Sequence, residues 1–142
     1  MTADEMAAVH GRAFDQERAW NAAEFSDLLD SPFVQAFTHD FGFALTRSVA
    51  GETELLTLAV DPGQRRKGIA RRLLRRWLDA PTESADTAFL EVAADNTAAI
   101  ALYLDLGFAT IATRPAYYAR KNGSVADALI MQRALTFGQV TE

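Results

Sequence analysis

The chain has 142 residues, 49% of them apolar, and it contains no cysteine. This composition fits one folded domain over residues 1–142, and it excludes a disulfide scaffold, a thiolate metal site and a cysteine nucleophile. The net charge of −5 argues against a general nucleic-acid binder, although seven of the 14 basic residues lie between positions 65 and 76.

The chain offers few candidates for membrane or metal binding. No apolar run approaches the roughly 20 residues of a membrane span, and residues 1–14 lack the apolar core of a secretory signal. We therefore expect a cytoplasmic protein without a membrane partner. His10 and His39 are the two histidines, so we expect no metal site.

Two helices are predicted at the start of the chain. Thr2 and Glu5 have the three-residue spacing of a capping box, and Asn21 and Glu24 repeat it. These caps predict helices over 3–14 and 22–30. The pattern then changes to strands at 33–38, 41–49 and 53–60, separated by short turns, which predicts an antiparallel meander.

The second half of the chain alternates strands and helices. The predicted elements are a helix from Gly68 to the boundary at Pro81, a strand at 87–93, a helix at 97–106, a strand at 108–113, a polar loop and a strand at 126–135. The whole predicts an α+β fold in which the strand–helix–strand units favour local parallel pairing.

The segment 60–70 joins a predicted strand to the start of a predicted helix. A helix start offers unpaired N–H groups and the positive end of the helix dipole, and both attract phosphate. Gly68 and Ala70 are small enough to let a ligand approach the backbone. The segment therefore predicts a pyrophosphate site over 66–71. A solvated basic helix face is the favoured interpretation of Arg72, Arg75 and Arg76, and contact with a ligand phosphate stays open for them.

The same segment carries a resemblance to a known family. Arg65 to Ala70 matches the R/Q-x-x-G-x-G/A acyl-CoA signature of the GNAT N-acetyltransferases. Residues 90–135 resemble the ribosomal-protein-alanine N-acetyltransferases of the RimI type. The matching elements are Leu90-Glu91-Val92, Asn96, Ala101-Leu102-Tyr103, Leu106-Gly107-Phe108, Arg114, Tyr117-Tyr118 and Asp127-Ala128.

The resemblance implies a GNAT fold with acetyl-CoA as co-substrate. Such a fold has a mixed, mostly antiparallel sheet, about four flanking helices and two central strands that splay apart, one of them ending in a bulge. The first strand of the family, before the first helix, would be short or absent here. The cofactor would contact the backbones of Leu58, Ala59 and Val60, the amides of Arg66, Lys67, Gly68, Ile69, Ala70 and Arg71, and the side chain of Asn96. Asn96 is also a good helix N-cap whatever it binds.

Two side chains are implied to be catalytic. Glu91 would be the general base that deprotonates an amine, and Tyr103 the general acid that protonates the departing CoA, so no covalent enzyme intermediate is needed. From the residues alone, a strand-end glutamate facing solvent and a tyrosine covering the core are the alternatives.

The acceptor side is implied to involve Arg114, Tyr117 and Tyr118. In relatives this loop helps to form the groove for an acceptor peptide; otherwise the tyrosines only fix the loop to the sheet. The implied partner is the N-terminal alanine of a small-subunit ribosomal protein. Two other hypotheses are acetylation of a lysine, a polyamine or a small-molecule amine, and a non-catalytic acyl-CoA-binding module. Direct nucleic-acid binding is not expected, because aromatic residues are not interleaved with the basic ones.

Overall fold

The computed structural model describes residues 1–14, 18–80 and 85–135. Its elements in chain order are α1 (Ala3–Ala13), α2 (Ala22–Asp30), β1 (Val34–His39), β2 (Gly42–Val49), β3 (Glu52–Val60), a 3₁₀ turn (Pro62–Gln64), α3 (Ile69–Asp79), β4 (Thr87–Ala93), α4 (Thr97–Asp105), β5 (Ala109–Ala119) and β6 (Val125–Ala134). Residues 1–14 contain no strand ahead of α1. The predicted helix boundary at Pro81 lies outside the described residues.

The strands form one six-stranded mixed sheet in the order β1-β2-β3-β4-β6-β5. The predicted meander of β1 to β3 is confirmed, and β3 pairs with β4 in parallel. The expectation that β4 and β5 pair with each other in parallel is wrong, because β6 lies between them and pairs antiparallel with both. β6 returns from β5 as a hairpin and places buried Ala128 and Met131 beside β4.

β5 is longer than predicted. It continues to Ala119, whereas the sequence predicts a strand that ends at 113 and then a polar loop. Nearly all residues of β5 are exposed, because among the described residues it is an edge strand whose one neighbour is β6. An exposed edge strand lacks the apolar alternation from which strands are recognised, so its polar half resembles a loop in sequence.

The helices cover the two faces of the sheet. α1 and α2 pack on one face, where Met6, Phe25 and Phe43 are fully buried. α3 and α4 pack on the other face, around Leu73 and Leu90. The first two helices begin at the predicted capping boxes, with reciprocal side-chain and backbone hydrogen bonds at both. In the ranges described above, no helix combines the length and apolarity needed to cross a bilayer.

A bulge and a short ladder open the middle of the sheet. Leu45 pairs with Thr57 but Thr46 pairs with Leu55, so Leu56 is the extra residue of β3. The bulge lies at Leu56 and not at the strand end expected for 58–60. β3 and β4 share three pairs, which end at Glu54 and Phe89. Beyond these pairs the two central strands splay apart, as the resemblance implied.

His10 links α1 to the part of β3 next to the bulge. Its imidazole is 1% exposed and stacks on Phe14, with the ring centroids 3.9 Å apart. The backbone N–H of Trp20 donates to Nδ1 at 3.0 Å, and Nε2 lies 3.1 Å from the Thr57 hydroxyl oxygen. Because Nδ1 accepts, the proton is assigned to Nε2. Burial lowers the pKa of His10 to about 4.

The buried neutral His10 makes stability depend on pH. In the folded protein His10 binds a proton only near pH 4, whereas in the unfolded chain it binds one below about pH 6.5. The stabilisation from neutral His10 is therefore complete above pH 6.5 and is lost as the pH falls toward 4. Between pH 6.5 and 5 we expect the free energy of unfolding to fall by roughly 1.5 kcal/mol from this group. Urea unfolding at both pH values measures it. His10→Gln should show a smaller fall, whereas equal falls in the two proteins would contradict this origin.

Candidate active site

The splay of β3 and β4 opens a cavity of about 530 Å³, here called the Glu91 cavity. Leu56 and Leu58 of β3 form one wall and Glu91 of β4 forms the other. Tyr103 of α4 also lines it. Glu91 and Tyr103 are thus brought to one cavity, although 12 positions separate them in the chain and they come from different elements.

Alternation along β4 directs Glu91 into this cavity. Leu90 and Val92 are buried in the core under α3 and α4, so Glu91 points to the opposite face. Its side chain is 24% exposed, and Oε1 lies 3.1 Å from Nη1 of Arg114. Glu91 therefore has a charged partner, which meets the requirement for an ionised group in an otherwise apolar strand.

The Glu91–Arg114 ion pair crosses a neighbouring strand. Ala93 of β4 and Arg114 of β5 both pair with Ala128 of β6, which is fully buried. Residues two apart share a face of the sheet, so Glu91 and Arg114 lie on the same face. Ala128 and Ile130 of β6 lie between them on that face.

Tyr103 is 6% exposed and packs edge-on against Phe108, with ring centroids 6.1 Å apart. Burial raises the pKa of Tyr103 above its usual value, and Tyr118 adds to the effect. The hydroxyl therefore keeps its proton at neutral pH and can donate a hydrogen bond. Tyr103 covers the core and also lines the Glu91 cavity, so its core position is compatible with the general-acid role, which stays a prediction.

The start of α3 forms the other end of the site. Gly68, the N-cap, has φ +77° and no side chain caps the helix. A Cβ at Gly68 would meet no atom within 4 Å, so the space in front of these amides is open. A cavity of about 290 Å³, here called the Gly68 cavity, is lined by Arg66, Gly68, Ile69, Ala70 and Arg71 among others. The side chain of Lys67 bonds Gln64 at 2.8 Å instead.

A third cavity, of about 460 Å³, joins the two ends and is here called the central cavity. It shares Leu58 and Asn96 with the Glu91 cavity, and Val60 and Arg65 with the Gly68 cavity. Asn96 caps α4 through Oδ1, which accepts from the Ala99 N–H at 3.2 Å. The three cavities form one groove, with the backbone of residues 58–60 along it.

Sequence reasoning missed two arginines that line the central cavity. The side chain of Arg120 is 11% exposed, and its guanidinium donates to both carboxylate oxygens of Asp95 at 2.6 and 2.8 Å. This pairing holds the pKa of Asp95 below its usual value. Arg65 donates to the main-chain oxygen of Ala13 at 3.3 Å. The acyl-CoA signature could have indicated Arg65, but no local signal links Arg120 to Asp95, 25 positions earlier.

Three of the four arginines of α3 contact other parts of the chain. Arg72 donates to the main-chain oxygen of Lys67 at 3.3 Å, and Arg76 to that of Thr38 at 2.7 Å. Arg71 pairs with Asp105 at 2.5 Å, and Arg75 is exposed. These contacts fit the prediction of a basic helix face for 72–76.

Tyr117 and Tyr118 lie in β5, so their predicted place on a loop is wrong. Both line the Glu91 cavity, and their rings meet edge-on at 5.3 Å. The guanidinium of Arg114 lies 5.4 Å from the centroid of the Tyr117 ring. The three predicted acceptor-side residues are therefore together at this end of the groove.

Residues 6–108 match the acetyltransferase (GNAT) family. The chain belongs to this family. Its fold is also that of the ribosomal-protein-S18-alanine N-acetyltransferase from Escherichia coli, whose crystal structure matches with a TM-score of 0.81 and 32% identity, covering 96% of this chain and 90% of that one.

Two mycobacterial proteins are similar in sequence to nearly the whole of this chain. A protein of Mycobacterium tuberculosis named N-alpha-acetyltransferase RimI is 37% identical over 140 residues, 92% of this chain and 85% of the relative. An uncharacterised protein of Mycobacterium leprae is 40% identical over 139 residues, 92% of this chain and 37% of the relative. The chain spans less than two thirds of the length of several curated relatives that it matches.

Proposed function

We propose that the protein transfers an acetyl group from acetyl-CoA to the α-amine at the N-terminus of a protein. The observation that carries this proposal is the groove through the splayed sheet. It has open helix amides at one end and, at the other, a carboxylate and a protonated tyrosine in one cavity. Family membership and the relatives named for N-terminal acetylation support the same reaction.

The residues along the groove fit acetyl-CoA. The amides of 66–71 and the open space before Gly68 suit a pyrophosphate. Residues 58–60 have no partner in the β3–β4 ladder, so their backbone on that side is free to bond an amide-bearing arm, together with Asn96. Arg65 and Arg120 add positive charge along the central cavity.

Acetyl-CoA supplies the acetyl group as a thioester, whose sulfur leaves as a thiolate. A protein α-amine is largely an ammonium below its usual pKa of about 7.7–8.0, and the neutral amine is the nucleophile. Glu91 takes up the proton, directly or through water, and its ion pair with Arg114 holds the carboxylate in the Glu91 cavity. A main-chain N–H near the Leu56 bulge polarises the carbonyl. Tyr103 then donates its proton to the leaving sulfur, without a covalent enzyme intermediate.

The acceptor that we propose is the N-terminal alanine of a small-subunit ribosomal protein. The Escherichia coli neighbour is named for that activity, and the tyrosines of β5 give the Glu91 cavity a wall suited to a peptide. A lysine, a polyamine or another small amine would use the same groove without needing this wall. A non-catalytic acyl-CoA-binding module would need neither Glu91 nor Tyr103.

A panel of acceptors tests the reaction and its substrate class. We expect rapid CoA release with peptides that begin with alanine, and at least tenfold less with the same peptides blocked at the N-terminus. Lysine-containing blocked peptides and free polyamines are the controls. Equal rates with these controls would overturn the N-terminal acceptor, and no CoA release with any amine would favour the binding module.

Substitution of Gly68 tests the pyrophosphate end. Gly68→Ala places a side chain at φ +77°, which costs about 1 kcal/mol, and directs a methyl group into the open space before α3. Gly123→Ala is a matched control, since Gly123 has φ +87° and equally open surroundings. We expect similar losses in Tm but weaker acetyl-CoA binding by calorimetry for Gly68→Ala alone. Equal affinities in the two variants would place the phosphates elsewhere.

Substitution of Glu91 tests the proposed base. Glu91→Gln should lower kcat/KM at least a hundredfold near pH 7, with partial recovery at high pH where the amine is already neutral. Glu54→Gln is the control, because Glu54 lines the same cavity and pairs with Arg47. A pH–rate profile unchanged by Glu91→Gln would remove Glu91 from this role.

A further inference from the structure

β5 leaves its ladder on the acceptor side of the groove. Arg114 pairs with Ala128 and Tyr118 pairs with Ala126, so residues 115–117 of β5 face Asp127 alone on β6. These residues are here called the β5 excursion. Within it, Ala116 has φ +51°, a left-handed conformation that is unfavourable for a residue with a side chain.

Asp127 bonds both the excursion and the end of β4. Its carboxylate Oδ1 accepts from the backbone N–H of Ala116 at 2.8 Å. Its main-chain oxygen accepts from the N–H of Ala94 at 2.8 Å. One residue therefore connects the most strained point of the excursion to the segment three residues after Glu91.

The excursion sets the positions of the side chains that form the acceptor wall. It separates Arg114, which pairs with Glu91 at 3.1 Å, from Tyr118, and it carries Tyr117 under the Arg114 guanidinium. In a regular ladder, alternation would fix Tyr117 and Tyr118 on opposite faces of the sheet, yet both line the Glu91 cavity. The bulged conformation is what brings both rings to one side.

We propose that Asp127 is a positioning residue for the acceptor peptide, which acts by holding the β5 excursion in its bulged conformation. The inference rests on the proposed function, because it assumes a peptide acceptor at this wall. A hydrogen bond from an amide N–H to a carboxylate is stronger than one between neutral groups. The bond from Ala116 to Asp127 therefore offsets the strain of the left-handed conformation at Ala116. Asp127 lines neither the central cavity nor the Gly68 cavity, along which we propose that acetyl-CoA binds.

The test separates binding of the two substrates by steady-state kinetics. Asp127→Ala should raise the KM for an alanine-initiated peptide roughly tenfold, because the peptide must then order an excursion that has lost about one charge-assisted hydrogen bond, and leave the KM for acetyl-CoA within about twofold. Asp127→Asn should restore most of the peptide affinity, because its amide oxygen still accepts from Ala116. A role limited to stability would lower Tm without this difference between the two KM values.

A second pair of variants tests the mechanism through strain. Glycine adopts positive φ without cost, so Ala116→Gly should reduce the effect of Asp127→Ala on the peptide KM. Ala50→Gly is the matched control, since Ala50 has φ +54° in the β2–β3 turn, away from the groove. It should leave the effect of Asp127→Ala unchanged.

Hydrogen exchange provides a reading that does not depend on activity. The Ala116 amide should be protected in the natural protein and exchange faster in Asp127→Ala. An active protein whose peptide KM is unchanged by Asp127→Ala would overturn the role of Asp127 alone. A natural protein that acetylates no peptide would overturn the proposed function, and with it the acceptor role of Asp127, even if the exchange result holds.

Discussion

The parallel ladder between β3 and β4 stops after three residue pairs, and the rest of the site depends on that early end. Strand backbone normally bonds on both sides, so residues 55–60 need support from elsewhere. β2 supplies it along the other edge, where pairing continues past the bulge as far as Gly42 and Val60. The side of β3 that faces β4 is then open to a ligand along the groove.

α1 holds this half-open strand in place. His10 contacts Thr57, directly after the bulged residue, and Arg12 pairs with Asp61 at 2.9 Å, directly after the strand ends. The His10–Thr57 contact is buried among aromatic rings, so it is protected from competing water, whereas the half-exposed Arg12 pair contributes less to stability. The end of α1 is in this way fixed at the central cavity, which Phe14 helps to line.

How far the sequence predicts this structure depends on the distance between the interacting residues. The capping boxes at Thr2 and Asn21 and the helix start at Gly68 depend on neighbouring residues, and the sequence indicates all three. Glu91 was also identifiable, because it is the one charge in the apolar segment 88–94. The sequence does not indicate which charged residues pair with one another. The Glu91–Arg114 and Asp95–Arg120 ion pairs each join residues more than 20 positions apart. The Glu91–Arg114 pair requires β6 to lie between β4 and β5. That strand order is set by tertiary packing, which no local sequence pattern indicates.

The environments of Glu91 and Tyr103 suit them to opposite steps of proton transfer. Glu91 is partly exposed beside the Arg114 guanidinium and lines the Glu91 cavity, where an incoming amine can reach its carboxylate. Tyr103 is almost fully buried among apolar side chains, which favours a neutral donor. The fold achieves this division by placing one group on the strand face toward α1 and the other on a helix packed against the opposite face. The opening between β3 and β4 is what lets both reach one cavity.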